Sequence, residues 1–335
     1  MSAQKQELMT GFTSSSLGYN CLPGVYTNHG HRLFCSNAVE RAMSHLYGII
    51  LVFLAACSYG GAAIVIKLAY HAGLQPAGLL PLQNLLAMAC LWPWMLMSHG
   101  LPKLGRRHIA RLAWQGLLGN FAISLCYFWA AQRIDVSLLS IILFTYPGLV
   151  LFYQIVFEKR RVSAREFLAL QLSLAGAILA ADPFHPLSVR IDSLGLLLAV
   201  GAAAAYAFMN VYGQKLTLEH APMLITTVTA TVSTLTILLV LPPRHWFAPH
   251  YSSVQWLFVA ASGLLSTVLP MNLMYLGIRR IGAFHASVVS IVELPCILVL
   301  AYLILNERMT LPQILGGGLI LLSVALIRPS GASGV

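Results

Sequence analysis

Hydrophobic and polar positions in this chain come in blocks rather than in alternation. Ten apolar runs cover approximately residues 46–70, 76–98, 109–131, 135–157, 164–181, 193–215, 222–241, 254–277, 283–305 and 311–328. Each is close to the roughly 20 residues that a helix needs to cross a hydrocarbon layer. The connections are short, and several carry Gly or Pro: Gly73 to Pro76, Gly100 to Gly105, Pro183 to Pro186 and Pro242-Pro243. The pattern predicts an all-α integral membrane protein.

The blocks also repeat. Gly48 matches Gly195, Tyr59 matches Tyr206, Gly116-Leu117-Leu118 matches Gly263-Leu264-Leu265, and Arg133-Ile134 matches Arg280-Ile281, all 147 positions apart. The offset slips by one at Pro147/Pro295 and by two at Glu158/Glu307. So long a period means duplication of a structural half, not a solenoid of short repeats. Each half holds five runs, an odd number, so the second copy is expected upside down relative to the first. The expected architecture is therefore ten transmembrane helices as two inverted five-helix repeats, residues 45–182 and 190–329. Inverted halves are the signature of a carrier that opens alternately to the two sides of a membrane.

Residues 1–44 are polar, rich in Ser, Gly and Asn, and lack the apolar core of a signal peptide. They are expected to be a disordered tail. Met43-Ser44-His45 directly precedes the first run, so a native start near Met43 is an expectation that N-terminal sequencing tests. Residues 330–335 form a short C-terminal tail.

Composition agrees with the blocks. Of 335 residues, 58% are apolar and only 9% charged, with a mean hydropathy of +0.78; a soluble domain carries about 25% charged residues. The formal charge of +10 is spread over short loops, not gathered in one patch, so no nucleic-acid partner is expected. With the N-terminus in the cytoplasm, fifteen Lys and Arg fall inside, against Arg133, Arg190, Arg244 and Arg308 outside. This bias predicts a multi-pass protein of the cell (inner) membrane with both termini cytoplasmic. Glu158 then faces inward and its repeat partner Glu307 outward. The expected partners are the lipid bilayer and a small-molecule solute, with a homodimer left open.

The six cysteines show no paired spacing, and neither a disulfide framework nor a metal site is expected from them. His29-Gly30-His31 lies in the polar tail without further ligands. There is no Walker-type phosphate loop, no His-Glu-x-x-His and no Gly-x-Ser-x-Gly, so no cofactor, no direct use of ATP and no enzymatic activity is expected.

Two end motifs carry a family resemblance. Phe144-Thr145-Tyr146-Pro147 with Glu158, and Glu293-Leu294-Pro295 with Leu305-Asn306-Glu307-Arg308 and Gly316, resemble the two half-patterns of the EamA family of the drug/metabolite transporter superfamily. Ile66-Lys67-Leu68 is also similar to the family's first span. Asn306 stands where a Gly is usual, and Gln83-Asn84 where the second span often has an Arg. The resemblance covers about residues 46–328. It implies a transporter of small metabolites, often amino acids or related compounds moved outward.

Candidate chemistry centres on Glu293, the carboxylate nearest the middle of any run. An acid at a helix centre costs about 2.5–3.5 kcal/mol to insert, so it should face the bundle interior or a water-filled cavity, where it can take up a proton or bind solute. The bland alternative is a buried acid holding helices together. Pro295 follows and frees a backbone carbonyl, and Pro147 is its repeat mate; both are expected to break their helices near a central site. Tyr59, Asn120, Tyr146, Tyr206, Asn210, Asn272 and Tyr275 lie where a cavity lining would, and aromatic walls with a few amides suit an amphipathic solute. Ordinary packing competes for Tyr59 and Tyr206. Lys67 could meet an anionic group or snorkel to the interface. Trp92, Trp94, Trp129, Trp246 and Trp256 read as interfacial belts.

The expectation is a secondary transporter or exporter of a small polar or amphipathic metabolite, working by alternating access with proton coupling at Glu293 in view. The alternative is a carrier or flippase of lipid-linked intermediates, which calls for a lateral opening with basic residues at its mouth.

Overall fold

A computed structural model describes residues 38–100, 104–182, 192–240 and 251–327. The chain divides into Met1–Ser44 and His45–Val335. The tail expected over 1–44 and the His29-Gly30-His31 motif lie outside the described residues up to Ala38, where helix begins. Residues 38–44 belong to that helix. Trp246 and residues 330–335 also lie outside the described set.

Every described element is helical, with no strand among them. In chain order they are α1 (Ala38–His71), α2 (Pro76–His99), α3 (Arg106–Trp114), α4 (Ala122–Ala131), α5 (Val136–Leu143), α6 (Tyr146–Val156), α7 (Ala164–Ala180), α8 (Ser193–Glu219), α9 (Pro222–Val240), α10 (Ser253–Gly263), α11 (Leu269–Ser290), α12 (Glu293–Leu305) and α13 (Leu311–Leu326). A π turn over Gln115–Phe121 joins α3 to α4, and another over Leu264–Val268 joins α10 to α11. These two irregular turns lie at matching places in the repeat, around Leu117 and Leu264. Pro270 stands just after the second of them.

Local signals explain where helices start and stop. Ser163 with Glu166, and Thr310 with Gln313, form capping boxes at repeat-equivalent positions. Gly73 (φ 87°) and Asn306 (φ 54°) take the left-handed conformation that ends α1 and α12. Gly282 (φ 80°) breaks α11 where the eighth and ninth runs meet, and the freed N–H of Ala283 donates to Gln214 Oε1 at 2.6 Å.

Among the described residues, six helical stretches, counting α5–α6 and α10–α11 as one each, are long and apolar enough to cross a membrane: Met43–His71, Pro76–Ser98, Ser137–Val156, Ser193–Glu219, Pro222–Val240 and Ser253–Ser290. Glu293–Leu305 and Leu311–Leu326 are shorter apolar helices. Large side chains such as Phe152, Leu197, Leu239, Leu257 and Leu303 are exposed. So much uncovered apolar surface is unstable in water and ordinary in lipid.

The two halves pack reciprocally. A methyl on Gly48 would lie 2.9 Å from Cβ of Arg280, and one on Gly195 would lie 2.9 Å from Cβ of Arg133. Likewise, a methyl on Gly116 would lie 2.7 Å from the Thr229 carbonyl oxygen in α9, and one on Gly263 would lie 2.6 Å from the Gln83 carbonyl oxygen in α2. In both pairs the first-half glycine meets the second half as its repeat mate meets the first. Reciprocal contacts of this kind are what a two-fold relation between halves requires. Helix α7 packs on α13 just as closely, with Gly176 facing Gly316.

Candidate functional site

Two helix breaks define the centre. The fourth run is not one helix: it is interrupted at Phe144-Thr145, and α6 restarts with Tyr146 and Pro147. The ninth is interrupted at Ile291-Val292, and α12 restarts with Glu293, with Pro295 in its first turn. A proline tolerates the first turn of a helix, where its missing N–H is not needed, and forbids the turn before from continuing through it. Tyr146 and Glu293 are 147 positions apart, so the same helix-starting position in the two halves carries a phenol in one and a carboxyl in the other.

These positions meet around a tyrosine cluster. The Tyr146 ring stacks on Tyr206 at 4.1 Å between centroids, with 15° between planes. The Tyr146 hydroxyl donates to the Ser287 carbonyl oxygen at 3.0 Å and pairs with the Ser290 hydroxyl. Glu293 is close enough to act electrostatically on Tyr59, Tyr127, Tyr146 and Tyr206. Gly60 lets α1 approach: a methyl there would lie 3.2 Å from the Glu293 carbonyl oxygen. Its carboxylate, half-buried, makes no ion pair and no hydrogen bond with a described residue. One turn further along α12, Cys296 Sγ lies 2.9 Å from Cys57 Sγ of α1. Spacing could not pair these two cysteines, which are 239 residues apart.

A second polar layer adjoins the first. Gln115 Nε2 donates to the Met209 carbonyl oxygen and to the Tyr275 hydroxyl, both at 2.9 Å. Asn120 Nδ2 reaches Met271 Sδ at 3.8 Å, and Asn210 Nδ2 donates to the Tyr206 carbonyl oxygen at 2.9 Å. The amide oxygens of Gln115, Asn120 and Asn210 are buried without a hydrogen-bond partner. Each such orphan costs about 1–3 kcal/mol, so three together are places for a donor from outside the chain. Asn272 Nδ2 donates to the carbonyl oxygen of Val268, the last residue of the second π turn, at 2.7 Å.

Ion clusters stand on either side of the centre along α1. Lys67, about 12 Å beyond Tyr59 at 1.5 Å per residue, pairs with Glu307 at the end of α12. In the other direction, His45 lies edge-on to His285 with 5.6 Å between centroids. His285 Nε2 meets Glu166 Oε1 at 2.9 Å, and Glu166 also pairs with Arg160. Arg160 in turn donates to Gln154 Oε1 at 2.7 Å. Both clusters join the first half to the second.

An apolar cleft lies elsewhere, between Leu80, Phe121, Ser124, Leu125, Phe128, Trp129, Ile237 and Val240. It holds none of the predicted site residues, and its lining includes no basic side chain. Trp92 donates from Nε1 to Thr231 Oγ1 of α9 at 3.0 Å.

The pattern of the EamA-like transporter family matches twice, over residues 46–181 and 193–328. The chain belongs to the EamA-like transporter family. An "Uncharacterized transporter" of Archaeoglobus fulgidus is 24% identical over 207 residues, 62% of this chain and 72% of that protein. The "Uncharacterized transporter YcbK" of Bacillus subtilis is 23% identical, covering 81% of this chain and 89% of YcbK. The "Uncharacterized inner membrane transporter YicL" of Salmonella typhimurium is 23% identical over 84% of this chain and 94% of YicL. A protein of known crystal structure superposes with a TM-score of 0.69 over 85% of this chain and 98% of its own, at 16% identity. At that identity the likeness concerns the fold alone.

This EamA-family chain is thus a multi-pass membrane protein of a transporter family. Of the residues singled out from sequence, Glu293, Tyr59, Tyr146 and Tyr206 come together, Asn120, Asn210 and Tyr275 lie in the adjoining layer, and Lys67 stands apart on Glu307. Sequence reasoning missed Ser287, Ser290, Cys57 and the Arg160–Glu166–His285 cluster. The polar character of Ser287 and Ser290, just ahead of Glu293, was the one signal available for any of them.

Proposed function

We propose that this EamA-family protein is a secondary transporter of a small amine-bearing metabolite, an amino acid or related compound, and not an enzyme. Ten crossings in two oppositely oriented sets, 45–182 and 190–329, enclose the pathway, with both termini in the cytoplasm. The observation that carries this reading is the carboxylate of Glu293, unpaired among four tyrosines. A carboxylate near the middle of a membrane span needs a partner. A solute ammonium supplies one, and tyrosine faces add cation–π attraction. The orphan oxygens of Gln115, Asn120 and Asn210 accept further donors from solute or water.

A proton is the natural competitor for the same carboxylate, which couples solute movement to proton movement in the opposite direction. Opening one end breaks Lys67–Glu307; opening the other breaks the Arg160–Glu166–His285 cluster. The reading as a carrier of lipid-linked intermediates calls for basic residues at a lateral mouth, and the apolar cleft beside Phe128 offers none.

Purified protein in proteoliposomes, screened against labelled amino acids, amines and matched carboxylic acids lacking the amine, tests the proposal. At least one amine-bearing compound is expected to cross faster than in protein-free vesicles, and its deaminated analogue is not. Movement of neither, or equal movement of both, overturns it.

A further inference from the structure

Away from the centre, three side chains able to ligate a metal meet at one end of the bundle. His108 lies in the first turn of α3, Glu219 is the last residue of α8, and His220 follows it in extended backbone at φ −130° and ψ 152°. His108 Nδ1 is 3.1 Å from His220 Nε2 and 3.8 Å from Glu219 Oε2. The three ligand atoms all lie within 4.8 Å of one another. The imidazole rings cross at 87° with centroids 5.0 Å apart, so each can point a nitrogen at a shared ion without overlap.

The geometry is close to what an ion requires. Imidazole nitrogens and a carboxylate oxygen bound tetrahedrally at about 2.0–2.2 Å are separated from one another by about 3.3 Å. The separations of 3.1 and 3.8 Å lie on either side of that value, and the third is within 4.8 Å. Two histidines and one carboxylate make a three-ligand set that leaves a fourth position to water. Glu219 and His220 also sit at the C-terminal end of a 27-residue helix, where the macrodipole favours a cation.

Arg111 Nη1 already holds Glu219 Oε2. An ion bound through charge alone gains little by displacing a guanidinium. An ion that forms strong bonds to imidazole does gain, which favours zinc-like ions over Mg²⁺ or Ca²⁺.

We propose that His108, Glu219 and His220 form a binding site for a borderline transition-metal dication such as Zn²⁺. His108 belongs to the first half, and Glu219 and His220 to the second. A bound ion therefore ties α3 to the turn between α8 and α9. Binding itself requires nothing of the transport reading. Slowing of transport by the bound ion rests on that reading, since the tie joins the halves that must move.

The test uses the full chain, purified in detergent without a histidine tag. Co²⁺ is expected to give the visible bands of a tetrahedral site at one ion per chain, displaced by Zn²⁺ and not by Mg²⁺. Zn²⁺ competition against a chromophoric chelator is expected to show at least about tenfold weaker binding in His108→Ala, His220→Ala and Glu219→Gln. Arg111→Gln, which releases the carboxylate, is expected to tighten binding, an effect a merely structural role does not produce. A His29→Ala/His31→Ala variant controls for the N-terminal tail and is expected to bind as the parent does. No binding by the parent, binding unchanged in the three ligand variants, or binding lost with the tail histidines overturns the proposal.

Discussion

Gly316 and Gly318 stand two residues apart on α13, and the same substitution should act on them with opposite sign. A methyl on Gly316 would lie 2.5 Å from the backbone nitrogen of Ala180 and 2.6 Å from the carbonyl oxygen of Gly176. Van der Waals contact needs about 3.5 Å, so the shortfall is about 1 Å. Both obstacles are backbone and cannot rotate aside, so α7 and α13 must part. A gap of about 0.5–1 Å forfeits a quarter to a half of each contact well, and overpacking of this kind costs about 1–3 kcal/mol.

A methyl on Gly318 meets nothing within 4 Å. There, Gly→Ala should stabilise by about 0.4–1 kcal/mol, by narrowing the freedom of the unfolded chain. The two variants then differ by about 1.4–4 kcal/mol. At about 2 °C or more per kcal/mol for a chain of this size, that separates their melting temperatures by at least about 3 °C. Fluorescence-detected size-exclusion chromatography of heated, detergent-solubilised protein measures it. Equal stability of Gly316→Ala and Gly318→Ala would refute the close α7–α13 approach.

Other consequences follow from single contacts. Lys67 and Glu307 are 44% and 49% exposed, so their pair is worth less than about 1 kcal/mol; Lys67→Met should melt with the parent, and a larger loss would mean the pair is shielded from solvent. Copper-phenanthroline should take two electrons from the Cys57 and Cys296 thiols, release two protons and close a disulfide between α1 and α12; mass spectrometry should find the linked peptides in the parent and not in Cys57→Ser, and failure to cross-link would contradict the 2.9 Å approach. His220, surrounded by His108, Glu219 and Arg111, has its pKa lowered chiefly by burial, so the unfolded chain binds its proton more readily than the fold does. Its contribution is therefore intact above the ordinary histidine range and is lost as pH falls through it; His220→Gln should flatten the melting profile over that window, and an unchanged profile would remove His220 from the acid response.

Most of the fold was legible because its determinants are local or periodic. Apolar length located the helices, and the matches at Gly48/Gly195 and Gly116/Gly263 announced the repeat before any contact was visible. Proline marked the two central breaks, and the scarcity of acids in the apolar runs singled out Glu293. What stayed hidden depends on chain distance. Nothing in the spacing of Cys57 and Cys296, or of His108 and His220, says that the packing of one half against the other makes them neighbours. Polar character within a span does not distinguish an amide facing a pathway from one bonded to its own helix at an irregular turn.

Uptake and efflux of the amine-bearing solute in proteoliposomes, compared between the parent and Glu293→Gln, is the most direct measurement of the central claim. With the carboxylate replaced by an amide, solute binding and pH-dependent flux should both fall by at least about tenfold, the equivalent of one lost charge partner worth about 1.4 kcal/mol or more. Flux and pH dependence equal to the parent's would contradict a pathway centred on Glu293.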